Sequence, residues 1–199
     1  MQPAYYENFD EIIKKIWLML NDALTNRSSQ FRIPVFICGT QNDFDGRIVV
    51  LRKSDQDNNL IQFHSDIRSD KIEKLKSNNR ASLIFYDKEE KIQVRAKVEC
   101  TVNHKNEVTE QSWLKTAHIS RKCYLVDNGP GTESDEPTSG LKPEKDNFDY
   151  TMEESEKGYE NFTVIQCKVK SFEWLYLAAK GHRRARFDLE NDKRVWLVP

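Results

Sequence analysis

Two stretches of this chain hold most of the side chains suited to gripping an anion. Arg47 and Arg52 bracket the apolar run IVVL, and the segment HSDIRSDK follows further on. In that segment Ser65 offers a hydroxyl at the end of a strand-like run. Ser69 stands in capping position before a short amphipathic stretch, and Arg68 and Lys71 add full charges beside the helix start. Phosphate suits such a mixture, because guanidinium, ammonium, hydroxyl and backbone N–H donors satisfy several of its oxygens at once. The odd spacing of Arg47 and Arg52 sends them to opposite faces of a regular strand, unless a bulge re-aims one of them. The plainer readings are a charged strand end in solvent and an ordinary capped surface helix.

Further on, Gln93 lies in an apolar strand-like run with Arg95 on its face, where an amide suits the carbonyl and imide groups of a heterocycle. Trp174 offers a flat face to a planar ligand, or else fills a core. GHRRARF concentrates Arg183, Arg184 and Arg186, a place for a second phosphate or carboxylate, or a solvated basic turn. No aromatic-rich RNA-reading motif accompanies it. No Gly-rich phosphate loop, nucleophile elbow or paired-carboxylate signature stands out, and no catalytic residue is identified. An enzyme built from these residues would rely on a cofactor for its reaction.

The elements that must position these groups read mainly as strands. Phe9–Leu24 has helical periodicity, with Asn8 or Asp10 as cap. Strands follow at 32–40, 47–52, 60–65, 81–86 and 92–102. QNDFDG reads as a turn with Gly46 at positive φ, and 69–77 as an inserted helix. A helix is expected over 107–119. Beyond it, about 127–160 is rich in Gly, Pro, Ser and acid, and reads as a long loop, a lid or a disordered excursion. Strands are expected again at 162–169 and 172–177, a basic turn at 181–186 and a terminal strand at 195–199. The pattern is a β-meander with an inserted helix, favouring an antiparallel sheet or small barrel in one domain spanning 1–199.

Composition narrows the classes. Hydrophobic residues make up 38%, charged residues 32%, and the formal net charge is −1, which gives no global field for nucleic acid or an anionic membrane. Cys38, Cys100, Cys123 and Cys167 form no CxxC, and the four histidines lack ligand spacing, so neither a disulfide frame nor a metal site is expected. No signal-peptide pattern opens the chain and no apolar run is long enough to span a bilayer; a cytoplasmic protein is expected.

Taken in order, RIVVLR, FHSDIRSDK, NNRASLIFY, IQVRAKVE and EWLYL…HRRARF resemble the pyridoxamine 5′-phosphate oxidase-like family of FMN-binding split barrels. SRKCY and NGPGT resemble a subgroup of pyridoxamine phosphate oxidase-related flavoproteins. The resemblance runs from about Arg32 onward. It implies a mainly β split barrel of six to eight antiparallel strands with flanking helices, forming a homodimer with FMN at its interface. It also implies hydride transfer between the flavin and a small substrate, with oxidation of a vitamin B6 phosphate as the most concrete version. By matched position, Arg47 and Arg52 hold the phosphate and the flavin's polar side, and Ser65, Ser69 and Lys71 complete the phosphate site. His64 stands beside it where the oxidases usually have Tyr, and Gln93 faces the ring or ribityl chain. Trp174 and Arg186 come from the second subunit.

The chain departs from the family in places. Arg52 replaces a Lys. Asp70 replaces the Arg of an SRK motif, with Arg68 as compensation. Ser120 and Arg121 are candidates for the substrate's phosphate, and GHRRARF offers no His at the spacing of the family's Arg–x–His pair, leaving Arg183 and Arg184 as candidates to bind substrate. Two other readings stay open. One is a split barrel that has lost FMN and binds haem or another ligand. The other is a non-enzymatic interaction protein using the acidic 127–160 loop and the basic 181–186 turn.

Overall fold

In the computed structural model, which describes residues 4–40, 43–142 and 150–199, one long strand organises the rest. β7 (Phe162–Tyr176) pairs along its length with β6 (Ile92–Asn103) on one edge. Its other edge is shared: 162–168 pairs with β4 (Leu60–Asp66), and 171–176 with β8 (Arg183–Asp188). Sequence periodicity splits this strand into two, but the chain carries through 170 with a register shift against Lys97 and Val98.

β5 (Arg80–Asp87) extends the sheet from β6, followed by β1 (Val35–Gly39) and β2 (Phe44–Ile48); β3 (Leu51–Asp55) flanks β4, and β9 (Lys193–Leu197) flanks β8. The nine strands among the described residues are all antiparallel, one more than the upper expectation of eight. The sheet order runs β2-β1-β5-β6-β7-β4-β3, and β2 and β3 do not pair, so the barrel is split where Val49 and Val50 join them. The fold is a mainly antiparallel split barrel with flanking helices.

Three expectations give way here. The strand expected over 47–52 is two strand ends either side of Val49–Val50. QNDFDG is not simply a turn, because Phe44, Asp45 and Gly46 belong to β2; Gly46 pairs with Ile37 and is not among the positive-φ glycines. The glycine this hairpin requires is Gly39, where a Cβ would lie 2.4 Å from the Asp43 carbonyl oxygen. The basic turn at 181–186 is mostly β8, and only Gly181 takes positive φ.

Helix α1 (Phe9–Thr25) starts where the Asn8 side chain accepts from the Asp10 and Glu11 N–H groups, at 2.9 and 3.2 Å. Its buried stripe of Ile12, Ile16, Trp17, Leu20 and Ala23 packs on the sheet, with Trp17 edge-on to Phe172 of β7 at 5.3 Å. Helix α2 (Asp70–Ser77) buries Ile72 and Leu75. The helix expected over 107–119 breaks after Leu114 into α3 (Glu107–Leu114) and α4 (His118–Arg121). Within the acidic segment, 127–142 lacks helix and strand, whereas α5 (Met152–Glu156) and a 3-10 turn lead into β7; the stretch 143–149 lies outside the described residues. Among the described residues no helix is long and apolar enough to cross a membrane. Cys38, Cys100 and Cys167 are buried unpaired thiols.

Phe172→Ala removes the ring that joins α1 to the central strand. It is expected to cost about 3–5 kcal/mol, read as a lower urea midpoint with an unchanged m-value.

Candidate functional site

Lys71 is the least expected side chain in the barrel. Its residue is only 8% exposed, yet among the described residues no carboxylate lies within ion-pair distance of its ammonium. Instead Nζ donates to Ser65 Oγ at 2.8 Å and Ser69 Oγ at 2.5 Å. Burial, aided by the nearby Arg47 charge, lowers its pKa to about 8. It remains mostly cationic at neutral pH. Ser69 occupies the N-cap position of α2 but its side chain makes no cap bond; the hydroxyl serves the lysine instead. Arg47, from β2, completes this cradle, with a buried Nε that has no partner. Its guanidinium tips donate to both carboxylate oxygens of Asp70, at 2.7 and 3.2 Å, and it also pairs with Asp45. A buried ammonium held by hydroxyls, an orphaned guanidinium N–H and a helix start form a cradle for an oxyanion.

A second group lines a cavity of about 490 Å³ between β3, β4, the end of α1 and α3. Arg52 reaches it because it is the extra residue of a bulge: Leu51 pairs with Phe63, and Lys53 with Gln62. His64 stands beside it, edge-on to Phe162 at 4.8 Å. Burial, and secondarily the Arg52 charge, lowers the His64 pKa to about 4, so the imidazole is neutral at physiological pH. Ser120 lines the same cavity, with Gln111, Ser112 and Lys115. Gln62 Nε2 donates to Ser112 Oγ at 3.1 Å, tying α3 to β4. Arg32, Arg52, Lys53 and Lys115 put four cations around this space, and its described lining includes no Asp or Glu.

A third group lies on the outer face of the sheet. Gln93 and Arg95 share this face with Glu173, Arg184 and Arg186 of the neighbouring strands. Arg184 donates twice to Glu173, at 2.6 and 2.9 Å, and Arg95 also pairs with it. Burial alone would raise the Glu173 pKa, but the two arginines outweigh it and the pKa falls. Arg186 is exposed, whereas Arg183 approaches Glu7 at 3.7 Å.

Three anticipated site residues serve the fold instead. Trp174 is fully buried, packed on Tyr6 at 5.3 Å and Tyr176 at 6.4 Å, so its ring face is closed to a planar ligand. Arg68, expected to compensate for Asp70, is engaged within the fold: its Nε and Nη2 donate to the two Asp66 carboxylate oxygens, and Nη1 donates to the Val126 and Asp127 carbonyls. Arg121 is 3% exposed, stacks on Trp113 at 4.5 Å and pairs with Glu156. In the cavity, Lys115 takes the place expected of Arg121. Its sequence signal is the spacing Val108, Gln111, Ser112, Lys115, which falls on one helical face.

Residues 18–104 match the family model described as pyridoxamine 5′-phosphate oxidase, FMN-binding domain. Over that stretch the chain is similar to the pyridoxamine 5′-phosphate oxidase FMN-binding domain. The matched residues include the cradle, Arg52, His64 and Gln93, but neither α3 nor β8. Three solved structures share the oxidase-like fold. A pyridoxamine 5′-phosphate oxidase-related, FMN-binding protein from Nostoc punctiforme superimposes with a TM-score of 0.68 at 15% identity, covering 94% of this chain and 96% of its own. PhzG from Burkholderia lata, solved with tetrahydrophenazine-1-carboxylic acid, gives 0.72 at 16%, covering 100% and 98%. A general stress protein 26-related protein from Clostridium acetobutylicum gives 0.56 at 13%, covering 90% and 99%. No curated protein matches the sequence.

The half-buried, neutral His64 has a consequence for stability. Its pKa is about 4 folded and about 6.5 unfolded, so the unfolded chain binds the extra proton between those values. Stability from this group is complete above pH 6.5 and falls as the pH drops toward 4, by at most about 3 kcal/mol. His64→Gln is expected to flatten that part of the stability–pH profile, measured by urea unfolding at pH 4 to 7.

Proposed function

We propose that this chain is an FMN-binding flavoprotein that carries out oxidation or reduction of a small anionic substrate as a homodimer. The observation that carries the reading is the Lys71 ammonium, buried with two hydroxyls and, among the described residues, without a carboxylate partner. A buried cation so placed is stabilised by an incoming anion. The FMN phosphate fits the donors at hand: Lys71, Ser65, Ser69 and the free Nε of Arg47. When bound, FMN would supply the hydride-level redox chemistry that these side chains lack.

The chain's own residues would then orient and select. Gln93 would present an amide to the flavin's polar edge from the outer sheet face. The cavity around Arg52, Lys53 and Lys115 would take a substrate bearing a carboxylate or phosphate, and its volume of about 490 Å³ suits a small molecule. The ligand bound by PhzG in a similar fold is itself a carboxylic acid. His64, neutral and half-buried, would accept or donate a hydrogen bond there without adding charge. A vitamin B6 phosphate is one such anion, and Ser120 and Lys115 are the groups facing it.

Support for a second copy comes from the outer face of β2, β1 and β5. Phe44, Ile48, Val35 and Tyr86 are exposed there by 72, 64, 37 and 46%. In the strand register Ile48, Val35, Ile84 and Arg95 form one continuous row, and Tyr86 lies opposite Gln93. An apolar sheet face of this kind is covered in a stable dimer, and Arg186 of a second copy would then reach the flavin. Buried unpaired thiols fit a reducing compartment such as the cytoplasm.

FMN added to the purified protein is expected to remain after desalting, with flavin absorption bands. Lys71→Met is expected to weaken FMN by at least about tenfold, measured by fluorescence titration. Wild-type affinity should fall above pH 8 as Lys71 deprotonates. A protein that stays colourless at every FMN concentration contradicts the reading. Ile48→Lys is expected to shift the chain from dimer to monomer in sedimentation analysis.

A further inference from the structure

We propose that Asp70 is a built-in competitor for the phosphate of the flavin, and so the residue that sets how strongly this cradle discriminates a phosphorylated from an unphosphorylated ligand. The inference rests on the FMN reading above.

Asp70 opens α2, directly before Lys71. Its carboxylate accepts both guanidinium tips of Arg47 at 2.7 and 3.2 Å, the two-pronged geometry that Arg otherwise offers a phosphate. The hydrogen bonds from Arg47 hold its pKa below the usual carboxylate range, helped by the Lys71 backbone N–H and the Lys74 charge, so it stays ionised at neutral pH. Lys74 is engaged too, with Asp43 at 2.8 Å, Asp70 at 3.6 Å and Asp45 at 3.9 Å. Around the cradle, the cations Arg47, Lys71 and Lys74 therefore face Asp43, Asp45 and Asp70, and the local charge is balanced without any ligand.

Lys71 is the cation that these carboxylates leave to the serine hydroxyls. A phosphate dianion would meet Lys71, Ser65 and Ser69 without having to displace a carboxylate from them. It gains the Arg47 fork only by displacing Asp70, with Asp45 also pairing with that guanidinium, and it feels the Asp70 charge in either arrangement. A ligand without the phosphate meets neither cost. Asp70 is also 56% exposed at its side chain, so replacing it leaves the core intact.

The test compares wild type, Asp70→Asn and Asp70→Ser, with FMN and riboflavin as separate probes in fluorescence-quenching titrations. Inorganic phosphate serves as competitor. Asp70→Asn is expected to tighten FMN by about tenfold, as expected for freeing a two-pronged guanidinium, to change riboflavin by less than about twofold, and to make inorganic phosphate a stronger competitor; Asp70→Ser should follow the same order. If both variants bind FMN no better than wild type while Lys71→Met still weakens it, Asp70 is a positioning residue for Arg47 and the inference fails, although the FMN reading stands. If FMN and riboflavin tighten equally, the effect is not on the phosphate and the inference also fails. If wild type and both Asp70 variants bind neither flavin, the FMN reading itself is wrong and the inference falls with it.

Discussion

The arrangement of this protein depends on β7 keeping two different partners on one edge. An antiparallel strand offers hydrogen-bonding groups alternately to each side, and β6 takes one side along the full length. On the other side β4 occupies 162–168 and β8 occupies 171–176. The register shift near Lys170 is where the strand turns from one neighbour to the other. That division fixes the geography of the candidate site. The β4 half carries His64 and Ser65 toward α2 and α3, whereas the β8 half sets Arg184 and Arg186 beside Gln93 on the outer face.

Within β4, alternation separates two environments one residue apart. Ile61, Phe63 and Ser65 lie on one face and Gln62 and His64 on the other. The first face meets the core and, at its end, Lys71; the second lines the cavity with Arg52. The two sites differ in how their charge is answered. In the cradle each guanidinium or exposed ammonium has a carboxylate, and the lysine that does not is the one buried among hydroxyls. In the cavity several cations face a space without acids. Burial acts on both in the same sense, lowering the pKa of Lys71 and of His64, because each loses solvation that its neighbours do not restore.

Much of the fold was legible in the sequence because its elements are locally determined. The α1 stripe, the β4–α2 succession and the β5–β6 hairpin show their periodicity in the residues themselves. The errors fall where tertiary structure overrides local signals. Arg47 to Arg52 reads as one strand because Val49 and Val50 are β-formers, yet the barrel needs its split there. The 181–186 run is polar enough to read as a turn, but β7 offers it an unpaired edge. The cradle was legible for the same reason as the fold: Ser65, Ser69 and Lys71 sit close in sequence. Trp174, Arg68 and Arg121 were not, since what decides them is remote. Tyr6, from the N-terminal turn, covers the indole; the Val126 and Asp127 carbonyls claim Arg68; Glu156 and Trp113 claim Arg121.

These three residues also explain why a cation-rich or aromatic motif is a poor guide to a binding site by itself. A guanidinium has more donors than one partner uses, so buried backbone carbonyls and carboxylates compete for it throughout the fold. Arg68 and Arg121 were captured by such partners and now anchor the loop at 126–127 and the α3–α4 corner. Lys71 escaped capture because its neighbours at hydrogen-bond distance are hydroxyls, which accept from an ammonium without neutralising it. The distinction between a structural cation and a binding one is then a matter of what answers the charge. By that measure Lys71 at the start of α2 and Arg52 and Lys115 beside His64 are cations that no carboxylate among the described residues answers.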